Sequence, residues 1–479
     1  MSEDRTIPSS PPRIVLVNPI SGRGHLDAYA RLYSRALVEL GATVTLVAAT
    51  DGGTRNYLAR NCPQHAANFS FVPSETAEAL PHARRLLPAH KRALMVVREE
   101  GVAGLARRAV TVPVRLTMRV LTKPVEAILR RCRNRVGSAA SRLLGVDANR
   151  LSFVSVVGSV RGACLSEGGR FPDLVVVLYL DLMSERPREV KALEGAGFGP
   201  WVGILFHPRL MADRTAKLEK YFQSQRARGA IFLVPDAMPV YASAAPTLSF
   251  ALAPDVADLE LAANKPRLAI EIRRRAAGRS VVFIIGSIAP HKGIMTALDV
   301  IARVDPKRYF FAIIGEVHWE SFGADEAALR EFYNCAPENV FIHEGYVEDE
   351  RDYNSTLSEC DILYSVYRGF NSSSNALTKS AGLHIPILVS AGTLMGERVI
   401  ACDIGAIAPE GDPAGIESSL DKLVGRAKDS FGFDIYLQQH SLERLKLVLL
   451  DALNEWVGSA QHSSLIEECA DQLPPTVLR

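Results

Sequence analysis

The chain has 479 residues, 48% of them hydrophobic, and a formal net charge of +2. That length exceeds one ordinary hydrophobic core and implies two or three domains. Seven cysteines lie scattered with no C-x-x-C pair, which excludes a disulfide framework and a structural zinc site, and no run of about 18 uncharged apolar residues offers a membrane span.

The first residues, MSEDRTIPSSPPR, are polar and Pro/Ser-rich, and 1–12 reads as a flexible tail without a signal-peptide core. A soluble or peripheral protein of the reducing cytoplasm is expected. RIVLVNPI then reads as a strand, Ser21 to His25 as a glycine-bearing loop, Leu26 to Leu40 as a helix, and ATVTLVAAT as a second strand. This is a βαβ unit with a Rossmann-like opening. Further strands are expected at FSFVP, LSFVSVV, DLVVVLYLDL, WVGILFHP, AIFLVP and TLSFALAP. Their near-continuous Val/Ile/Leu runs suit strands covered on both faces.

Between the early strands and LSFVSVV, residues 84–150 carry 16 Lys/Arg against four Asp/Glu, so the molecule is electrically polarised. At 100° per residue Val110, Val114, Met118, Leu121, Val125 and Ile128 gather on one side and Arg108, Arg115, Arg119, Lys123 and Arg130 on another, as in an amphipathic basic helix. Such a helix over 102–135 suits an anionic membrane surface, and equally a helix packed on its own domain with a solvated basic face. Val110, Val112, Val114, Leu116, Met118 and Val120 also alternate as in a strand. The interval lacks aromatic residues for base stacking, so nucleic acid is not the expected partner.

From Asp255 to Arg279 the sequence turns Glu-, Arg- and Ala-rich, and strand–helix alternation restarts at Val281. The interdomain connection is placed there, giving an N-terminal domain over 13–262, with the 84–150 insertion, and a C-terminal domain over 263–430. The second series of strands is YFFAIIGE, NVFIHEGYV, DILYSVY, IPILVS and a short piece near Ile404 to Ala408. A long helix from about Asp434 to Trp456, within 431–457, is expected to return to the N-terminal domain, with 458–479 as a tail.

The most informative stretch is VVFIIGSIAPHKGIMTALDVIARV, Val281 to Val304. A buried strand breaks at Gly286, passes through Ser287 to His291, and resumes at Lys292-Gly293 as an amphipathic helix. Unpaired N–H groups and the positive end of the helix dipole meet there, and Lys292 adds a mobile charge, so a diphosphate is the natural guest. The loop is neither GxGxxG nor GxxxxGK[ST], which argues against nicotinamide and P-loop chemistry. RGFNSSSNALTKSAG offers a second polar helix start, where Ser373, Ser374 and Asn375 can cap the helix or bind an oxyanion. Lys379 follows Asn375 by one helical turn.

These features in this order resemble the GT-B glycosyltransferases, and within them the nucleotide-sugar enzymes of glycosyltransferase family 4. The resemblance rests on GSIAPHKG, YFFAIIGE, HEGYVEDERDYNSTLSECDILYSVY, GLHIPILVSAG and IGAIAPEGDPAGIESSL, which cover most of Val281 to Leu420. The N-terminal half matches in outline only. The resemblance implies an α/β fold of GT-B type: two Rossmann-like domains facing across a cleft, with the basic helical insertion in the N-terminal one. It also departs from the family. Ser287 stands where Arg is usual, and the two usual glutamates eight positions apart fall near Asn371 and Lys379.

The resemblance implies sugar transfer from a nucleotide-diphosphate donor to a hydroxyl, with retention and without a metal or other cofactor. The chain shows no Asp-x-Asp at a strand end. The expected donor contacts are Gly286, Ser287, Lys292, Gly293, Glu316, Ser373, Ser374, Asn375 and Lys379, with Gly22, Gly24 and His25 on the N-terminal side. His207, Lys292 and Glu397, the last placed in a loop, are the residues expected to act on the transferred sugar. The acceptor is expected to be lipid-linked or a glycan, with the anionic membrane surface as a further partner. The alternatives are a non-catalytic nucleotide-sugar or carbohydrate-binding protein of the same fold, and a GT-B enzyme of other chemistry such as an epimerase or phosphorylase.

Overall fold

A computed structural model of the chain describes residues 11–21, 24–73, 78–79, 151–152, 160, 171–184, 199–206 and 222–457. The basic stretch 84–150, with its segment 102–135, most of LSFVSVV, and the two tails lie outside the described residues.

The first sheet holds β1 (Arg13–Val17), β2 (Thr43–Ala48), β3 (Phe69–Pro73), β4 (Leu174–Val177), β5 (Trp201–Leu205), β6 (Ala227–Phe232) and β7 (Ser249–Leu252). All pairings are parallel, in the order β7-β6-β5-β4-β1-β2-β3. Two short parallel pairings, Ile20–Ser21 with Glu78–Ala79 and Leu151–Ser152 with Met183–Ser184, stand apart from it. Every residue of β4 and β5 is buried, as parallel strands covered on both faces must be. The run DLVVVLYLDL stops being a strand at Val177. Tyr179 takes a left-handed φ of 55°, a short 3-10 turn follows at Leu180–Leu182, and the Asp181 carboxylate accepts the Phe206 N–H at 3.1 Å.

Helix α1 (Gly24–Glu39) crosses between β1 and β2, and α2 (Thr54–Asn61) follows β2. Helix α3 (Ala237–Ala244) connects β6 to β7. From Leu252 the chain runs through 253–266 without regular structure to α4 (Arg267–Ala276) and the second sheet.

That sheet holds β8 (Ser280–Ile285), β9 (Tyr309–Ile314), β10 (Val340–His343), β11 (Ile362–Ser365), β12 (Ile387–Ser390) and β13 (Gly405–Ala408), again all parallel, in the order β10-β9-β8-β11-β12-β13. Its helices are α5 (Ile294–Arg303), α6 (Glu326–Asn334), α7 (Glu350–Leu357), α8 (Asn375–Gly382), α9 (Leu394–Cys402) and α10 (Pro413–Val424). Helix α5 shows why such helices form here. Ile294, Ala297, Val300 and Ile301 recur at helical spacing and are all buried, and each Ile or Val side chain stabilises by roughly 1.5–3 kcal/mol.

The helix expected over Asp434–Trp456 is two helices, α11 (Phe433–Gln439) and α12 (Leu442–Val457). The break has a local cause. His440 stacks on Tyr436 with ring centroids 4.3 Å apart and accepts the Asp255 N–H at 3.0 Å, while Ser441 Oγ accepts the Arg444 N–H at 3.2 Å and caps α12. Helix α12 buries Leu445, Leu449, Ala452, Leu453 and Trp456 in the core of the first sheet, against α1, and Lys446 bonds Glu39 at 3.0 Å. Among the described residues no helix is long and apolar enough to cross a membrane.

Candidate functional site

In an open parallel sheet the crevice for a ligand lies beyond the carboxyl ends of the strands, where the strand order reverses. In the second sheet this point falls between β8 and β11. The loops that follow these strands, 286–293 and 366–374, are the two that the sequence singles out.

Both loops are shaped by glycine. Gly286 has φ 110° and Gly315, at the end of β9, has φ 148°; a Cβ on Gly315 would lie 1.7 Å from the Gly286 carbonyl oxygen. Gly293 has φ 68°, and a Cβ there would lie 2.2 Å from the Val366 carbonyl oxygen, so the two crevice loops pack directly on each other. The helix expected from Lys292 begins one step later. Pro290–Lys292 is a 3-10 turn, Gly293 is the N-cap, and α5 starts at Ile294. No side chain caps it, which leaves its first N–H groups to solvent or a ligand. Ser287 is exposed, with its hydroxyl 2.6 Å from His318 Nε2. Lys292 Nζ donates to Tyr367 Oη at 2.8 Å and lies 4.1 Å from the centre of that ring.

On the other side, Ser374 caps α8 by accepting the Ala376 N–H at 3.4 Å, and Asn375, half-buried, is the first helical residue. Ser372 is fully buried, and its hydroxyl has no hydrogen-bond partner among the described residues. Ser373 turns inward, donating to the Asp255 carboxylate and accepting from Arg398 Nη1.

Lys379 does not join Asn375 at the crevice. It is buried, its ammonium pairs with Glu350 at 2.6 Å, and it bonds Asn354 Oδ1 and the Asp258 carbonyl oxygen. An amine enclosed by these acceptors is structural. Asn371 is likewise engaged, accepting the Leu394 N–H at 2.8 Å at the start of α9. The two positions where the resemblance expects glutamates thus hold the fold together.

Glu397 sits in the first turn of α9 and not in a loop, because Thr393 caps that helix by accepting the Gly396 N–H at 3.1 Å. Its side chain is exposed and makes no hydrogen bond or ion pair among the described residues. Glu316, half-buried, follows Gly315, and its carbonyl oxygen accepts the Ile288 N–H at 2.9 Å. Of the N-terminal candidates, Gly24 and His25 form the first turn of α1, while Gly22 and His207 lie outside the described residues. Next to His207, Phe206 is buried, stacked on Tyr179 at 4.3 Å and edge-on to Tyr29 at 4.5 Å.

The structure therefore packs the loop of Gly286, Ser287, Lys292 and Gly293 on the loop that runs through Tyr367 to Ser374 and Asn375, with Lys292 held on Tyr367, and engages Lys379 elsewhere. Sequence reasoning missed Tyr367, although it lies in the aromatic strand passage DILYSVY. It also missed the centre behind the crevice. Asp255 accepts from Tyr29 Oη at 2.9 Å, pairs with Arg398 at 3.5 Å and accepts Thr378 Oγ1 on its carbonyl at 2.9 Å, while Arg398 Nη2 reaches the Leu233 carbonyl at 3.3 Å. Nothing in local sequence marks these residues, since their partners lie more than a hundred positions away. A separate cavity of about 280 Å³ opens beside the connector, lined by Arg35, Tyr57, Asn61, Glu260 and His440 among others. Its polar groups already pair with one another: Arg35 with Asn61 at 3.3 Å, and Asn61 with Glu260.

No protein-family profile matches the chain, and no curated protein matches it in sequence. Solved structures do. Sucrose-phosphate synthase from Thermosynechococcus elongatus superposes with a TM-score of 0.56 at 13% identity, over 96% of this chain and 100% of that one. Trehalose 6-phosphate synthase from Burkholderia multivorans gives 0.56 at 10% identity, over 97% and 99%. Anabaena HepE in complex with UDP and glucose gives 0.52 at 11%, over 92% and 99%. The chain has the fold of these proteins. The expected α/β architecture of GT-B type, two Rossmann-like sheets in one chain, is borne out.

Proposed function

We propose that the protein moves a sugar from a nucleoside-diphosphate sugar to a hydroxyl acceptor. The observation that carries this reading is Lys292, held on Tyr367 Oη beside the uncapped start of α5 at the switch point of the second sheet. As the bond from the anomeric carbon to the donor phosphate breaks, negative charge builds on the departing diphosphate. A fixed ammonium and two helix starts meet that charge without reorganising. The anomeric carbon then bonds the acceptor oxygen, whose proton passes to the departing diphosphate. Neighbours of the same fold, among them HepE with UDP and glucose, support a uridine or related nucleotide as donor.

Retention, independence from metal, a lipid-linked or glycan acceptor and contact with an anionic membrane through 102–135 belong to the same proposal. So do the roles of His207, Glu397, Glu316, Gly22, Gly24 and His25, and a cytoplasmic location. A ligand-observed NMR screen over a panel of sugar nucleotides, followed by turnover of the labelled donor that binds, tests the core of it. Binding followed by glycoside formation is expected, and a panel without a single binder would refute it. The product's anomeric configuration by NMR, activity in chelator, and flotation with anionic against neutral vesicles test the finer parts.

A non-catalytic nucleotide-sugar-binding protein is the second reading, favoured by one observation. Asn371 and Lys379, where the resemblance expects acidic residues, are both engaged in structural bonds. Donor binding without turnover, with a broad panel of acceptors, would select it.

A further inference from the structure

Tyr367 belongs to the second crevice loop, and its side chain reaches Lys292 of the first. It follows β11 at the switch point and is 6% exposed. Its phenol oxygen takes a hydrogen bond from Lys292 Nζ at 2.8 Å. The ring packs edge-on against Phe370 at 5.3 Å and His291 at 6.3 Å, and its carbonyl oxygen accepts from Ser390 Oγ. The side chain is thus fixed from several directions and has little freedom to leave the loop.

The phenol's electrostatics point the same way. Burial alone would push its titration up, but the Lys292 charge and hydrogen bonding by Lys292, Ser365 and Ser374 outweigh it, and the group is held below its ordinary value. Ser374 is the residue that caps α8. The oxygen of Tyr367, in the loop that leads to that cap, therefore meets the ammonium of the other loop.

A lysine ammonium carries three donors, and among the described residues Lys292 uses only one of them. A lysine side chain is otherwise among the costliest to order, with up to about 2 kcal/mol of rotamer freedom to lose. Holding it beforehand lowers the cost of meeting an anion.

We propose that Tyr367 is a positioning residue for the donor diphosphate, its phenol oxygen fixing Lys292 at the switch point and joining it to the Ser374 cap; this rests on the nucleotide-sugar reading above. The two halves of the anion cradle then act as one unit. Removing the phenol oxygen weakens diphosphate binding through Lys292 and by no other route.

The test is a double-mutant cycle read by calorimetric titration with uridine, adenosine and guanosine diphosphates at fixed salt. Tyr367→Phe keeps the ring and its aromatic neighbours and removes only the oxygen. About tenfold weaker binding is expected, the size of one hydrogen bond to a charged group. In a Lys292→Met background the same change is expected to cost less than twofold. An equal loss in both backgrounds, or wild-type affinity in Tyr367→Phe, would overturn the proposal. Thermal melting of each variant separates lost folding from lost binding, and Ser374→Ala supplies a second cycle: its effect must also shrink when Lys292 is gone, and strict additivity would overturn the link. If the unaltered protein bound none of the three nucleotides, the transferase reading would fall and this role with it. Wild-type binding with an indifferent Tyr367→Phe would sink the role of Tyr367 alone.

Discussion

The carboxylate of Asp255, wholly buried, lies 3.5 Å from the guanidinium of Arg398, a residue 143 positions further along in α9. Asp255 belongs to the connector between the sheets, Arg398 to the second domain, and the same guanidinium also reaches the Leu233 carbonyl after β6. The pair thus ties α9 to the connector and to the chain that follows β6. Removing one partner of a buried pair leaves the other charge uncompensated, at a cost of about 3–5 kcal/mol. Arg398→Met should lower the midpoint of urea unfolding accordingly, and a wild-type midpoint would show that Tyr29 and Ser373 satisfy Asp255 without it.

His440 predicts a pH dependence. Burial, helped by the Arg398 charge and opposed by Asp255, pushes the imidazole down to about 4 from an ordinary 6.5. The neutral ring is needed, because Nδ1 accepts the Asp255 N–H. Between about pH 4 and 6.5 the unfolded chain binds the proton and the folded one does not, so this contribution is complete above 6.5 and is lost as pH falls. The slope is roughly 1.4 kcal/mol per pH unit for one group. Chemical denaturation at several pH values should show it in the wild type, and a flatter profile over that window in His440→Asn; identical profiles would refute the assignment.

Lys292→Ala should raise the KM for the sugar nucleotide or abolish binding, since the ammonium is held on Tyr367 beside the switch point. About tenfold or more is expected from one lost charge-assisted bond. Calorimetry with the donor found in the screen measures it, and unchanged affinity would remove Lys292 from the site.

Gly293→Ala is a backbone test of the same place. A Cβ there meets the Val366 carbonyl oxygen at 2.2 Å, at a φ of 68° that L-residues avoid. The two loops must move apart, so both stability and nucleotide affinity should fall. The neighbouring control Gly369→Ala, with φ 57° but open space around it, should cost only the conformational part, roughly 1 kcal/mol. Equal costs at the two positions would mean that loop contact is unimportant.

Lys379→Met separates structure from binding. The change takes the ammonium from half-buried Glu350, leaving it only the more distant Arg31 at 3.9 Å, and should destabilise the fold, while the affinity of the remaining folded protein for the donor stays within about twofold. A selective loss of affinity at full stability would return Lys379 to the crevice.

What the sequence made legible follows from the range of the forces involved. The strands of the second sheet, such as YFFAIIGE and IPILVS, announce themselves because parallel strands buried on both faces need unbroken apolar runs. Gly286, Lys292 and Gly293 were readable because a sharp turn into a helix constrains residue type locally. Lys379 was misplaced because one helical turn fixes only which face a side chain shares with Asn375, whereas its ammonium goes where Glu350 and Asn354 are. The break at His440 escaped for a similar reason. Its partner Asp255 lies 185 positions earlier, and a hydrophobic period alone continues straight through. Glu397 belongs to a helix and not a loop because of Thr393, whose cap is a short-range signal present in the sequence.

The docking of α12 on α1 has a bearing on biosynthesis. Leu445, Leu449 and Trp456 complete a hydrophobic layer most of whose other members, such as Ile14, Tyr33 and Ile231, are made more than two hundred residues earlier. A nascent chain emerging from the ribosome would carry that layer uncovered until the whole second sheet had been synthesised. The later lobe, built of neighbours close in sequence, is the part equipped to fold first, and the earlier lobe waits for its last helix.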